Sequence, residues 1–78
     1  MIEVFLYGGF KKMVEQCNPN ASAIMLCEYV EGEHFEEMLR RLGLNLDVVG
    51  DCYINNAPAN PDNVLHAHDI IELNQRAL

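Results

Sequence analysis

Positive charge is what this sequence has least of. Lys and Arg total 5 against 12 Asp and Glu, a formal net charge of −7, and the only adjacent basic pairs are Lys11–Lys12 and Arg40–Arg41. Neutralising a phosphate backbone takes clustered cations. Nucleic acid is therefore excluded as the expected partner, and a positively charged protein surface is favoured. Cysteine is equally uninformative as a framework: Cys17, Cys27 and Cys52 form no C-x-x-C and leave one over after any pairing. They read as reduced thiols of a cytosolic protein. No apolar run approaches a membrane span and no charged-then-apolar leader opens the chain, so the expectation is a cytoplasmic protein with no membrane contact. Catalytic signatures are missing too. There is no Ser-His-Asp order, phosphate-cradling loop or dinucleotide fingerprint. Gly8-Gly9 follows an apolar run but lacks a third glycine and a lysine, and reads as a turn. The expectation is a chain that is not an enzyme and needs no cofactor.

What is present suits one small fold. Half of the 78 residues are hydrophobic, enough for a single domain over residues 1–78 with one modest core. No internal repeat, linker or low-complexity segment divides it. Ile2-Glu3-Val4-Phe5-Leu6-Tyr7 reads as a first strand, apolar enough to be buried on both faces, with Phe5 in the core. Phe10, Met13 and Val14 have the spacing of one short helical turn over residues 10–16, which Asn18-Pro19-Asn20 ends. Residues 23–30 read as a second strand closed by Glu31-Gly32. Phe35, Met38, Leu39 and Leu42 then fall at i, i+3, i+4 and i+7, one face of a helix. Glu33, Glu36 and Glu37 occupy its predicted first turn, Arg40 and Arg41 its last, and Gly43 follows as a natural C′ residue. His34 stands where Ser or Thr would cap, so fraying is expected there. Residues 52–54 form a short strand, Asn55-Asn56 a tight turn, and Ala57 a brief return strand that Pro58 and Pro61 keep at an edge. Residues 69–73 are the last strand, with Ile71 and Leu73 toward the core and Ile70 and Glu72 toward the other face.

Strand, strand, helix, strand, short strand, strand is a two-layer α+β order. One of several topologies it permits pairs the first and last strands in parallel at the sheet centre. Several segments resemble the MoaD/ThiS type of sulfur-carrier protein. These are Met1 to Tyr7 followed by Phe10-Lys11-Lys12-Met13-Val14, the helix around His34 to Leu44, Tyr53-Ile54-Asn55-Asn56-Ala57-Pro58 against the family's V-N-G-x-x-V, and Val64 to Leu73 against its L-x-x-G-D-x-V ending. The resemblance implies a ubiquitin-like β-grasp fold, a mixed four- to five-stranded sheet packed on one main helix. Sulfur carriers of that family end in Gly-Gly, whose carboxylate is activated; this sequence ends Asn74-Gln75-Arg76-Ala77-Leu78. The expectation is accordingly a noncatalytic binding module, monomeric or weakly dimeric, docking on a larger protein such as an activating or cofactor-synthesis enzyme. A sulfur carrier of molybdopterin or thiamine biosynthesis is one alternative.

Three groups of residues are candidates for chemistry or binding. Glu36, Glu37, Ile70 and Glu72 are candidates for an acidic, partly apolar protein-binding surface, with Phe5, Tyr7, Tyr29 and Tyr53 joining it if one sheet face is bare. Otherwise Glu36 and Glu37 simply satisfy the dipole at the helix start and the apolar side chains fill the core. Cys17, beside the Asn-Pro-Asn loop, is the candidate reactive thiol, whereas Cys27 and Cys52 read as small buried hydrophobes. His66 and His68, with Asp69, could bind Zn²⁺ or Ni²⁺, which would make the chain a small metal-binding protein. The alternative places them in the turn before the last strand, with His68 at positive φ where the resembled family has glycine.

Overall fold

A computed structural model describes residues 1–8 and 24–76. The short helical turn expected over 10–16, and Cys17, lie outside them. The described chain runs β1 (Ile2–Tyr7), β2 (Ile24–Cys27), α1 (Phe35–Arg41), β3 (Val49–Ile54), β4 (Ala57–Pro58) and β5 (Ile70–Gln75). The strands form one five-stranded sheet in the order β2-β1-β5-β3-β4. Its central pair, β1 and β5, is parallel, and the other three pairings are antiparallel. Over the described residues this is a small α+β domain with a mixed five-stranded sheet and one short helix.

The sheet has one dry face. Ile2, Val4 and Leu6 of β1 are buried beside Ile71 and Leu73 of β5, and Phe35, Met38 and Leu39 of α1 close over them. β1 is therefore buried on one face, not two. Its burial alternates strictly, as a pleated strand covered by a helix on one side must. The apolar run misled because Phe5 and Tyr7 face the other way. Phe5 is consequently half-buried outside the core cluster, contrary to the core position expected of it.

The second strand is shorter than its composition suggested, and register explains why. Cys27 pairs with Ile2, the first residue of β1, which leaves residues 28–30 beyond the paired length of the two strands. The chain turns instead, with the Glu33 N–H donating to the Val30 carbonyl (3.1 Å) and Gly32 at φ 79°. β3 begins earlier than expected, at Val49, and carries an irregularity between Val49 and Cys52. Gly50 makes this crossing feasible: a Cβ there would lie 3.1 Å from the Gln75 carbonyl oxygen and 3.2 Å from the Arg76 Cα.

The helix start does not fray. The Phe35 N–H donates to the Asn63 carbonyl (2.8 Å) and the Glu36 N–H to the Pro61 carbonyl (3.2 Å), while the His34 N–H donates to Glu37 Oε1 (3.1 Å). The loop before β5 thus satisfies orphan donors that a Ser or Thr cap would otherwise serve. Glu33 precedes the helix instead of occupying its first turn. Its carboxylate, 9% exposed, accepts two bonds from Arg41, at 2.7 Å and 3.0 Å, and Arg41 Nη2 also donates to the Glu28 carbonyl at 2.8 Å. The planar guanidinium therefore ties the end of α1 to the segments on either side of the Gly32 turn. At the other end Gly43, at φ 83°, donates to the Arg40 carbonyl and Leu44 to the Leu39 carbonyl, a Schellman closure with Leu44 packed on the core.

Candidate functional site

The face of the sheet opposite α1 has no helix on it among the described residues. Strand register orders its side chains into rows. In one row Ile24 (β2) lies beside Phe5 (β1), Phe5 beside Glu72 (β5), Glu72 beside Tyr53 (β3), and Tyr53 beside Pro58 (β4). In the next, Leu26 lies beside Glu3 and Glu3 beside Ile70. Tyr7 and Asn74 pair in a third. Leu26 is 63% exposed, Tyr7 43% and Ile70 42%. The result is an apolar and aromatic surface with one carboxylate set into each of two rows.

Ile70 and Glu72 are thus brought together, on the face that strand alternation assigned to them. Glu36 and Glu37 are not. They sit on the solvent side of α1, beyond the core from that face. Each also has a partner of its own: Glu36 Oε1 accepts from Arg40 Nη2 at 2.9 Å, and Glu37 Oε1 meets His34 Nδ1 as well as its N–H. The contact with the His34 ring, and secondarily with its N–H, holds the Glu37 carboxyl below the usual carboxylate range. Of the aromatic residues, Tyr29 packs against the core, whereas Phe5, Tyr7 and Tyr53 share the open face. Ile24, Leu26 and Glu3 are the members of this surface that sequence reasoning missed. Residues 24–27 are uniformly apolar, so no alternation distinguishes the outward pair from Met25 and Cys27.

The histidine loop has a different organisation. Asn55 and Asn56, at φ 51° and 70°, make the two-residue turn between β3 and β4, and His68 has φ 69°, the positive value expected at its position. The Asp69 carboxylate is buried. One oxygen accepts from the His66 backbone N–H (2.8 Å) and the other from Asn55 Nδ2 (2.9 Å), while Asn55 Oδ1 accepts from the Ile70 N–H (2.9 Å). The carboxylate that would complete a metal site is therefore engaged in holding the turn to β5. Among the described residues no three His, Cys, Asp or Glu side chains converge as a metal site. A solvent-open cavity of about 240 Å³ lies beside this turn, with Asn55, Pro58, Asn63, His66 and Asp69 in its lining.

Cys27 and Cys52 are both buried and unbonded. Burial pushes the Cys52 thiol up from its ordinary range, which lowers its reactivity. Among the described residues no helix is long and apolar enough to cross a membrane. No family model, curated protein or solved structure matches this chain.

Proposed function

We propose that this chain is a noncatalytic, ubiquitin-like β-grasp module, related in form to the MoaD/ThiS sulfur carriers, that docks on a larger protein through the open face of its sheet. The fold part of this reading is supported by the strand order, with its parallel β1–β5 centre, and by the packing of α1 on one face of the sheet. The functional part is carried by one observation: Leu26, Ile24, Phe5, Ile70 and Tyr53 form a continuous surface holding Glu3 and Glu72. An apolar face that the described residues leave uncovered on a small domain points to a protein contact, and aromatic residues at its centre are what such contacts use. A net charge of −7 fits a partner with an apolar patch among Lys and Arg side chains. That the partner is an activating or cofactor-synthesis enzyme rests on the resemblance alone.

The test is crosslinked capture from the native host with the full chain and three variants, Leu26→Asp, Ile70→Asp and Glu36→Lys, each checked for native circular dichroism. A partner held by wild type and Glu36→Lys, but reduced at least about tenfold by both open-face variants, supports the reading. Equal capture by all four chains removes it, and loss confined to Glu36→Lys moves the contact to the helix. The intact mass of the recovered bait separates docking from sulfur carriage, because a carrier would gain sulfur.

A further inference from the structure

Glu72 occupies an unusual place in the open face. Its strand neighbours in the same row are two aromatic residues, Phe5 on one side and Tyr53 on the other. Neither ring belongs to the core cluster, and both remain partly accessible, as does Glu72. Among the described residues no Lys, Arg or His pairs with Glu72: Arg40 pairs with Glu36, Arg41 with Glu33, and His34 with Glu37.

Adjacent strands lie about 4.8 Å apart. A planar group seated over Glu72 would therefore have an aromatic side chain about 5 Å to each side, inside the roughly 6 Å reach of a cation–π contact. A carboxylate supplies two parallel acceptors, which a guanidinium fork matches and an ammonium does not. Glu3 lacks this setting, since its row neighbours are the aliphatic Leu26 and Ile70.

We propose that Phe5, Glu72 and Tyr53 form a seat for one arginine side chain of the docking protein, its guanidinium paired to the Glu72 carboxylate and flanked by the two rings. The role of the seat in docking rests on the open-face reading above, but its chemistry can be measured without the partner. A second copy of this chain is disfavoured as the occupant. Two open faces brought together would gather four carboxylates, Glu3 and Glu72 of each copy, into one interface between chains of net charge −7.

The experiment is an NMR titration of the ¹⁵N-labelled full chain with triarginine and, separately, trilysine, peptides of equal charge. Triarginine is expected to shift the amides of Phe5, Glu72 and Tyr53 and to bind about fivefold or more tightly than trilysine. Glu72→Gln, an isosteric change at a partly exposed position, should weaken triarginine about tenfold. Phe5→Leu and Tyr53→Leu should bring triarginine down toward trilysine, with amide dispersion reporting that each variant folds. Equal binding of the two peptides, shifts centred on Glu36 and Glu37, or indifference to Glu72→Gln would overturn the seat. Concentration-dependent shifts at the same three residues without peptide would also overturn it, by making a second copy the occupant. Partner capture lost in Leu26→Asp, with no arginine preference in wild type, refutes the seat and spares the docking face. An arginine preference with capture unchanged in Leu26→Asp and Ile70→Asp does the reverse.

Discussion

Asn55 and Asn56 are the same residue in the same kind of backbone conformation, yet replacing each by glycine should move stability in opposite directions. Both have positive φ, as a two-residue hairpin turn with right-handed strand twist requires. Glycine relieves the steric cost of that conformation at either position. The side chains differ. Asn55 donates to the buried Asp69 carboxylate at 2.9 Å and accepts from the Ile70 N–H at 2.9 Å. Among the described residues the Asn56 side chain makes no hydrogen bond. A hydrogen bond to a charged group contributes about 1.5–3 kcal/mol and a neutral one about 1 kcal/mol. Allowing for water reaching this exposed turn and for the relieved φ, Asn55→Gly should cost about 2 kcal/mol. Asn56→Gly creates an Asn-Gly turn and should stabilise by about 0.5 kcal/mol. In a domain of this size 1 kcal/mol corresponds to about 4–8 °C, so the Asn55 variant should melt roughly 10 °C lower and the Asn56 variant slightly higher. Urea titrations at fixed slope give both free energies. Values within about 0.5 kcal/mol of each other would refute the claim that the side-chain clamp, and not the turn conformation, distinguishes these residues.

Three further outcomes follow from the described geometry. Ile71→Ala should destabilise by about 3 kcal/mol and Ile70→Ala by less than about 1 kcal/mol in the same urea assay, because only Ile71 lies in the core; equal losses would contradict the assigned faces. Arg41→Lys gives up the two-point contact with Glu33 and the bond to the Glu28 carbonyl, and should cost about 1 kcal/mol on this half-screened surface. Retention of full stability by the lysine variant would show that charge alone suffices. Burial raises the folded Cys52 pKa, so above the ordinary thiol range the unfolded chain releases a proton that the folded chain retains. Stability should therefore fall as pH rises past that range, and Cys52→Ala should remove this part of the alkaline loss; an unchanged alkaline slope in the variant would assign the loss to other groups.

Local chemistry made much of this fold legible. The helix was readable because Phe35, Met38, Leu39 and Leu42 repeat at the helical period, and its close because Gly43 can take positive φ without a Cβ. Ile71 and Leu73 were assigned inward because Glu72 separates them. The sequence is silent where its pattern carries no alternation. Residues 24–27 are all apolar, and Phe5 and Tyr7 looked as suited to a core as Val4. The helix start also defied its sequence. His34 is a poor capping residue, and carbonyls of Pro61 and Asn63, more than twenty positions along, satisfy the donors instead.

The boundary between the two levels is physical. Periodicity, turn residues and charge are properties of neighbours along the chain, and from them follow the elements, the α+β class, the acidic surface and the outward direction of Ile70 and Glu72. Strand order and register are set by which hydrophobic faces can be buried together, and no residue carries that information alone. Only the tertiary structure put Phe5 and Tyr53 on either side of Glu72. Only it set Glu36 and Glu37 on the far side of the core, and engaged Asp69 with Asn55 and the His66 amide. Packing α1 on one face of the sheet leaves the other uncovered by it, and so decides which apolar residues α1 buries and which it does not.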